Sequence, residues 1–214
     1  MSLSKHELFQ QMLEQINLHH QPEYLPYFEN GEIEQVIVHK KSKLWSFQFV
    51  FDNVLPFEVF TALMNHMKIK FQSIATIDFQ IKTRKPILTN ESILDYWETV
   101  VQRSNISSPL VLSLFAKHTP VVLDNKVVIS VENEITKNHL ADNYLSIIQQ
   151  NYLVLGFPSF QITIEVDEAA SEARMAQYLA RKQEQDEMLV KQAEEAIKQN
   201  QQDRQRSDGS QSKG

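Results

Sequence analysis

The side chains able to do acid–base or metal chemistry are present, but their spacing does not suit it. Histidines stand at positions 6, 19, 20, 39, 66, 118 and 139. No two of them have the four-residue spacing that puts two imidazoles on one helix face around a zinc ion, and no His-Glu-x-x-His string occurs. Glu132 and Glu134 share one side of a strand end, but no nucleophile or oxyanion donor accompanies them. The chain has no cysteine, so disulfides, thiol nucleophiles and Cys-ligated metal centres are excluded. Of its four glycines, Gly209 and Gly214 lie in a polar tail. The remaining two, Gly31 and Gly156, cannot make the clustered turn of a P-loop or a Gly-x-Gly-x-x-Gly nucleotide site. A Gly-x-Ser-x-Gly elbow is also missing. No catalytic, cofactor-binding or metal-ligating residue is therefore expected.

Cations are the one chemical group that concentrates. Lys40, Lys41 and Lys43 sit at the tip of an expected hairpin, Lys68 and Lys70 near a helix end, and Lys82, Arg84 and Lys85 at the end of a strand. Lys40, Lys41, Lys43, Lys68, Lys70, Arg84 and Lys85 are the candidate nucleic-acid contacts, through phosphate. Lysines at a hairpin tip also serve as edge protection, and the pattern fits both readings. The net charge of −6 argues against a chain that holds nucleic acid through its overall field. Trp45, Phe47, Phe49 and Phe51 alternate with Ser46, Gln48 and Val50, which suits a core face better than a base-stacking platform.

These residues need elements to hold them. Ser4 and Glu7 form a capping box ahead of Leu8, Phe9, Met12, Leu13 and Ile16 at helical spacing. Residues 22–28 read as a short helix or turn that ends at Asn30-Gly31. A hairpin follows, with strands on either side of Lys40-Lys41-Ser42-Lys43. Pro56 opens a helix carrying Phe57, Phe60, Leu63, Met64, Met67 and Phe71, and a strand with Ala75, Ile77, Phe79 and Ile81 inward closes the unit.

The same order then recurs. Asn90 is expected to cap a helix with Ile93, Tyr96, Trp97, Val100 and Val101, and Ser108-Pro109 starts another. A hairpin turning at Asp124-Asn125 leads to one long helix over residues 133–156, stopped by Gly156 and Pro158, and then a strand carrying Ile162 and Ile164. The expected fold class is α+β: two modules, 1–85 and 86–166, each α-α-β-β-α-β with a three-stranded sheet packed with helices. Residues 167–214 are rich in Ala, Glu, Gln, Lys and Arg, with apolar residues too sparse for a heptad seam. They read as a charged helical linker or a disordered tail. Whether the modules pack together is left open.

Several strings resemble a known family. Tyr27-Phe28-Glu29-Asn30-Gly31-Glu32-Ile33, Val38-His39-Lys40-Lys41-Ser42-Lys43-Leu44-Trp45-Ser46-Phe47, Leu55-Pro56-Phe57, Asp95-Tyr96-Trp97 and Gly156-Phe157-Pro158 resemble the N-terminal noncatalytic region of PolC-type DNA polymerase III alpha subunits of low-GC Gram-positive bacteria. The Asn/Lys/Ile/Gln-rich usage resembles that of a staphylococcal version. More weakly, the second module resembles the DnaA N-terminal domain and the C-terminal domain of the clamp-loader tau subunit, which are protein-docking modules with a KH-like order of elements. The tryptophan-bearing helix, the Asp124-Asn125 turn and the helix over 133–156 carry that second likeness.

The resemblance implies the front end of a replicative polymerase whose catalytic parts, exonuclease and divalent metals such as magnesium would lie beyond Gly214. It implies a protein-interaction platform in the replisome, with the tau subunit as preferred partner. An accessory single-stranded DNA contact through the lysines is the alternative. KH modules grip nucleic acid through a Gly-x-x-Gly loop, which neither module has. No secretion signal or membrane span is read, so a cytoplasmic, soluble monomer is expected.

Overall fold

The computed structural model describes residues 2–123 and 126–209, which form eight helices and six strands. Two compact units divide the chain, one over Met1–Glu165 and one over Val166–Gly214.

The chain enters through α1 (Lys5–Gln15), whose N-terminus is closed as the sequence predicts: the Glu7 N–H donates to Ser4 Oγ and the Ser4 N–H donates to Glu7 Oε2. After α2 (Leu25–Phe28), strands β1 (Glu32–His39) and β2 (Leu44–Phe51) pair antiparallel, with a register shift between Ile33 and Gln35. Helix α3 (Phe57–Phe71) then crosses over to β3 (Thr76–Thr83), which pairs parallel to β2. Pro56 precedes this helix as its N-cap instead of opening its first turn. The first sheet has the order β1-β2-β3.

Period-two alternation decides the layers. Phe47, Phe49 and Phe51 point to one face and are buried. There the Phe9 ring of α1 meets Phe49 and Phe51 edge-on at 5.9 and 5.5 Å, and Phe71 of α3 lies 5.8 Å from Phe47. Both helices thus cover the same face. The opposite face is polar and carries a Gln48–Gln80 hydrogen bond and a Lys82–Glu34 ion pair.

The second half repeats the theme. Helices α4 (Asn90–Arg103) and α5 (Pro109–Lys117) precede the antiparallel pair β4 (Val121–Leu123) and β5 (Lys126–Val131), and β6 (Gln161–Val166) completes the order β4-β5-β6. The expected turn at Asp124-Asn125 lies outside the described residues. Ser108 caps α5 with Pro109 in its first turn, as expected.

Two local expectations are corrected. The cap of α4 is Thr89, not Asn90: extended backbone at Thr89 lets its Oγ1 accept from the Ser92 N–H at 3.2 Å. The single long helix over 133–156 is two, α6 (Glu134–Asn143) and α7 (Leu145–Val154), separated at Tyr144, whose φ of −127° departs from helical values. The Asn143 side chain donates back to the His139 carbonyl at 2.8 Å, the kind of local bond that competes with a continuous helix. The Tyr144 ring packs on Phe115 and His139 instead of continuing the stripe.

The two halves of the first unit meet through buried polar contacts. Tyr96 of α4 donates its hydroxyl to the Leu55 carbonyl at 2.8 Å, and its ring lies within 5.2 Å of Phe57, Phe60 and Phe157. Thr83 Oγ1 donates to the Gly156 carbonyl at 2.6 Å, and Ile81 bridges Leu155 in parallel. Gly156 ends α7 at φ 91°, and a Cβ there would stand 2.9 Å from both Ile81 Cγ2 and Thr83 Cγ2, so both backbone and space require glycine.

The second unit is formed by α8 (Glu168–Gly209), 42 residues long. Met175, Leu179, Val190 and Ile197 are all exposed on it. Among the described residues no helix is long and apolar enough to cross a membrane.

Candidate functional site

The first sheet's topology sorts the predicted cations. The β2–β3 register aligns Leu44 with Thr76, so the β1–β2 tip and the C-terminal end of α3 lie at one end of the sheet. Lys43 has φ 50° and its carbonyl accepts from the Thr76 N–H at 2.8 Å, which ties the tip to β3. Lys40 and Lys41 share that tip. Lys68 and Lys70 occupy the last turn of α3, where the helix dipole favours cations. None of these five lysines makes an ion pair among the described residues.

Arg84 and Lys85 lie at the other end, where Phe51 aligns with Thr83. The length of β3 separates the two ends by about 23 Å at ~3.3 Å per residue. Arg84 is engaged there: its guanidinium pairs with Glu32 at 2.9 Å and Asp52 at 3.0 Å and donates to the Asn30 carbonyl. A hydrogen bond from Asn30, then one from Arg84, holds the Asp52 carboxyl below the usual carboxylate range. Lys82 does the same for Glu34, again mainly by hydrogen bonding. Five of the seven candidate contacts therefore form one group, and two do not join it.

The aromatic row is core, as its alternation predicts, except at its end. Trp45 is half-buried at the lysine end, 5.5 Å from Phe71 and opposite Val38, which is 46% exposed. The histidines are scattered: His6 Nδ1 bonds the Gly31 carbonyl and His66 Nδ1 the Ile16 carbonyl. No group of three or more His, Cys, Asp or Glu that could hold a metal ion exists among the described residues.

Sequence reasoning overlooked a second surface. On α4, Glu91, Leu94, Asp95, Glu98 and Gln102 form one exposed stripe at helical spacing. Beside it, a groove of about 540 Å³ opens between α4 and α5 over Trp97, Val101, Leu112 and Phe115. Trp97 and Phe115 form its buried floor, edge to face at 5.9 Å, while Leu112 stays exposed at its margin. The inward apolar residues Ile93, Tyr96, Trp97, Val100 and Val101 dominate the α4 pattern, although its carboxylates recur at i, i+4 and i+7. Glu132, weighed as part of a carboxylate pair, binds Lys117 at 2.6 Å, and Glu134 binds Lys137.

Family models and relatives agree on one kinship. A family model described as DNA polymerase III polC-type N-terminus I matches residues 8–81, and one described as DNA polymerase III polC-type N-terminus II matches residues 95–210. A DNA polymerase III PolC-type of Latilactobacillus sakei is 44% identical over 80% of this chain and 12% of its own length. That of Lacticaseibacillus paracasei is 31% identical over 93% of the chain and 14% of its own length. That of Bacillus subtilis is 31% identical over 74% of the chain and 11% of its own length. The matched segment thus spans only about an eighth of the curated relatives. No solved structure matches the chain.

Proposed function

Because the chain belongs to the PolC-type DNA polymerase III family, matching its two N-terminal regions, we propose that it serves a replicative DNA polymerase as a noncatalytic protein-interaction platform in the replisome. The clamp-loader tau subunit is the preferred partner. Polymerase and exonuclease chemistry, with its divalent metals, belongs in this reading to other parts of the parent protein.

The observation that supports docking is the apolar groove between α4 and α5, floored by Trp97 and Phe115 with Leu112 exposed at its edge. Apolar side chains grouped on a surface mark sites where another protein removes water. The second module's resemblance to docking domains adds to it. Titrating the isotope-labelled chain with tau tests the reading. Amide shifts that saturate are expected, and no response at concentrations on the order of tens of micromolar contradicts it.

A second reading has its own observation. The five unpaired lysines gathered at one end of the first sheet, with Trp45 half-exposed among them, favour an accessory contact with single-stranded DNA, in which cations neutralise phosphates and a ring stacks on a base. Binding to oligothymidylate that ignores salt concentration contradicts it.

A further inference from the structure

We infer that the groove between α4 and α5 docks a basic amphipathic helix of a partner protein, its apolar side entering over Trp97 and Phe115 and its cations facing Glu91, Asp95 and Glu98. This rests on the docking reading above and gives that reading a face and a chemistry.

The apolar part comes from the floor. Trp97 and Phe115 are buried and fixed against each other, and Val101 and Leu112 extend the same surface to the rim. About 540 Å³ suffices for one or two large apolar side chains of a partner. A trough between two packed helices suits a third helix presenting residues at i, i+3 and i+4.

The sign of the partner's charge comes from α4: Glu98 lines the groove, and Glu91 and Asp95 continue the same exposed helix face toward its N-terminus. Glu91, Asp95 and Glu98 stand one to two turns apart on the exposed side of α4, and none makes an ion pair among the described residues. Glu98 accepts only the neutral amide of Gln102, at 3.2 Å. The cation on the α5 side, Lys117, is already held by Glu132 at 2.6 Å. An acidic helix or a nucleic acid strand would bring like charge against three uncompensated carboxylates, whereas a Lys- or Arg-flanked helix supplies what they lack.

Two designed helical peptides of about 15 residues, one Leu/Lys and one Leu/Glu with the same leucine spacing, test this against the full labelled chain, with oligothymidylate as a third probe. The Leu/Lys peptide is expected to shift amides of residues 91–102 and 110–119. Its affinity is expected to fall at least about tenfold both in the triple variant Glu91→Lys, Asp95→Lys, Glu98→Lys and in Leu112→Asp. All four positions are exposed, so these variants should keep the fold. The Leu/Glu peptide and the oligonucleotide should leave those amides in place. An equal response to the Leu/Glu peptide or to oligothymidylate, shifts confined to other elements, or affinity kept within about twofold in both variants overturns the inference. Tau binding that survives both variants also overturns this placement but leaves the replisome-docking reading standing. A wild-type chain that takes the Leu/Lys peptide in this groove but ignores tau supports the groove and contradicts the choice of partner.

Discussion

The two halves of the first unit have similar element orders and opposite surfaces. Among the described residues, the end of the first sheet carries five lysines without ion pairs beside a half-buried tryptophan, and α4 carries three carboxylates without ion pairs, of which Glu98 lines an apolar groove. Elsewhere in the unit most cations are matched: Lys82 with Glu34, Arg84 with Glu32 and Asp52, Arg103 with Asp78, Lys117 with Glu132. Other charges such as Lys5, Lys85, Glu14 and Glu58 also stand outside the ion pairs among the described residues, but these two groups gather several charges of one sign beside aromatic side chains. Ion pairs exposed on a surface contribute little to stability, so the unpaired groups can be altered without unfolding the protein, while the seam between the halves cannot.

The largest expected effect breaks that seam. Gly156→Ala places a side chain at φ 91° and against Ile81 and Thr83, costing about 2 to 4 kcal/mol from backbone strain and overpacking together. Denaturant unfolding should show the loss in both halves at once. Charge comes next. With all five lysines on phosphates, affinity for oligothymidylate should fall roughly a hundredfold between about 50 and 200 mM salt, at a slope near −0.7 per contact. The variant with all five changed to alanine should lose that slope, while Arg84→Ala, whose side chain is held by Glu32 and Asp52, should keep it.

Smaller effects sharpen the seam. Tyr96→Phe removes the donor to the Leu55 carbonyl across the seam, and Tyr152→Phe removes the donor to the Ile93 carbonyl within the second half, each costing about 1 to 2 kcal/mol by thermal or denaturant unfolding. Burial raises the pKa of both hydroxyls above the ordinary tyrosine value, with the Asp95 charge adding to it at Tyr96. The folded state therefore holds these protons more tightly than the unfolded one. Their stabilisation is complete below the unfolded pKa near about 10 and is lost as pH rises beyond it. The double phenylalanine variant should have a flatter alkaline limb. At the acid end the sign reverses: Asp52 and Glu34 have lowered pKa values, so their contribution is present above the ordinary carboxylate range and fades as pH drops below it. Both pairs are exposed, and this is the smallest change expected.

Local signals were legible and distant ones were not. The Ser4–Glu7 box, the Ser108-Pro109 start and the alternation from Trp45 to Phe51 each depend on neighbours within a few residues, and the structure repeats them. The break at Tyr144 is hidden because Tyr144, Ile148 and Tyr152 keep a helical period across it, while the Tyr144 ring packs on Phe115, far away in sequence. The lysines illustrate the same limit. Their number was plain, but which of them meet depends on the parallel register of β2 with β3. The α4 stripe required no such knowledge, since Glu91, Asp95 and Glu98 recur at helical spacing; only the groove beside it needed α5 in place.

The central claim, that the lysine end of the first sheet and the acidic face of α4 serve different ligands, is tested most directly by one amide-resolved titration of the full chain with oligothymidylate and the Leu/Lys peptide, singly and together. Separate responses are predicted, at residues 40–45 and 68–71 for the oligonucleotide and at residues 91–102 and 110–119 for the peptide, with neither ligand displacing the other from the protein. A shared set of shifted amides would contradict it.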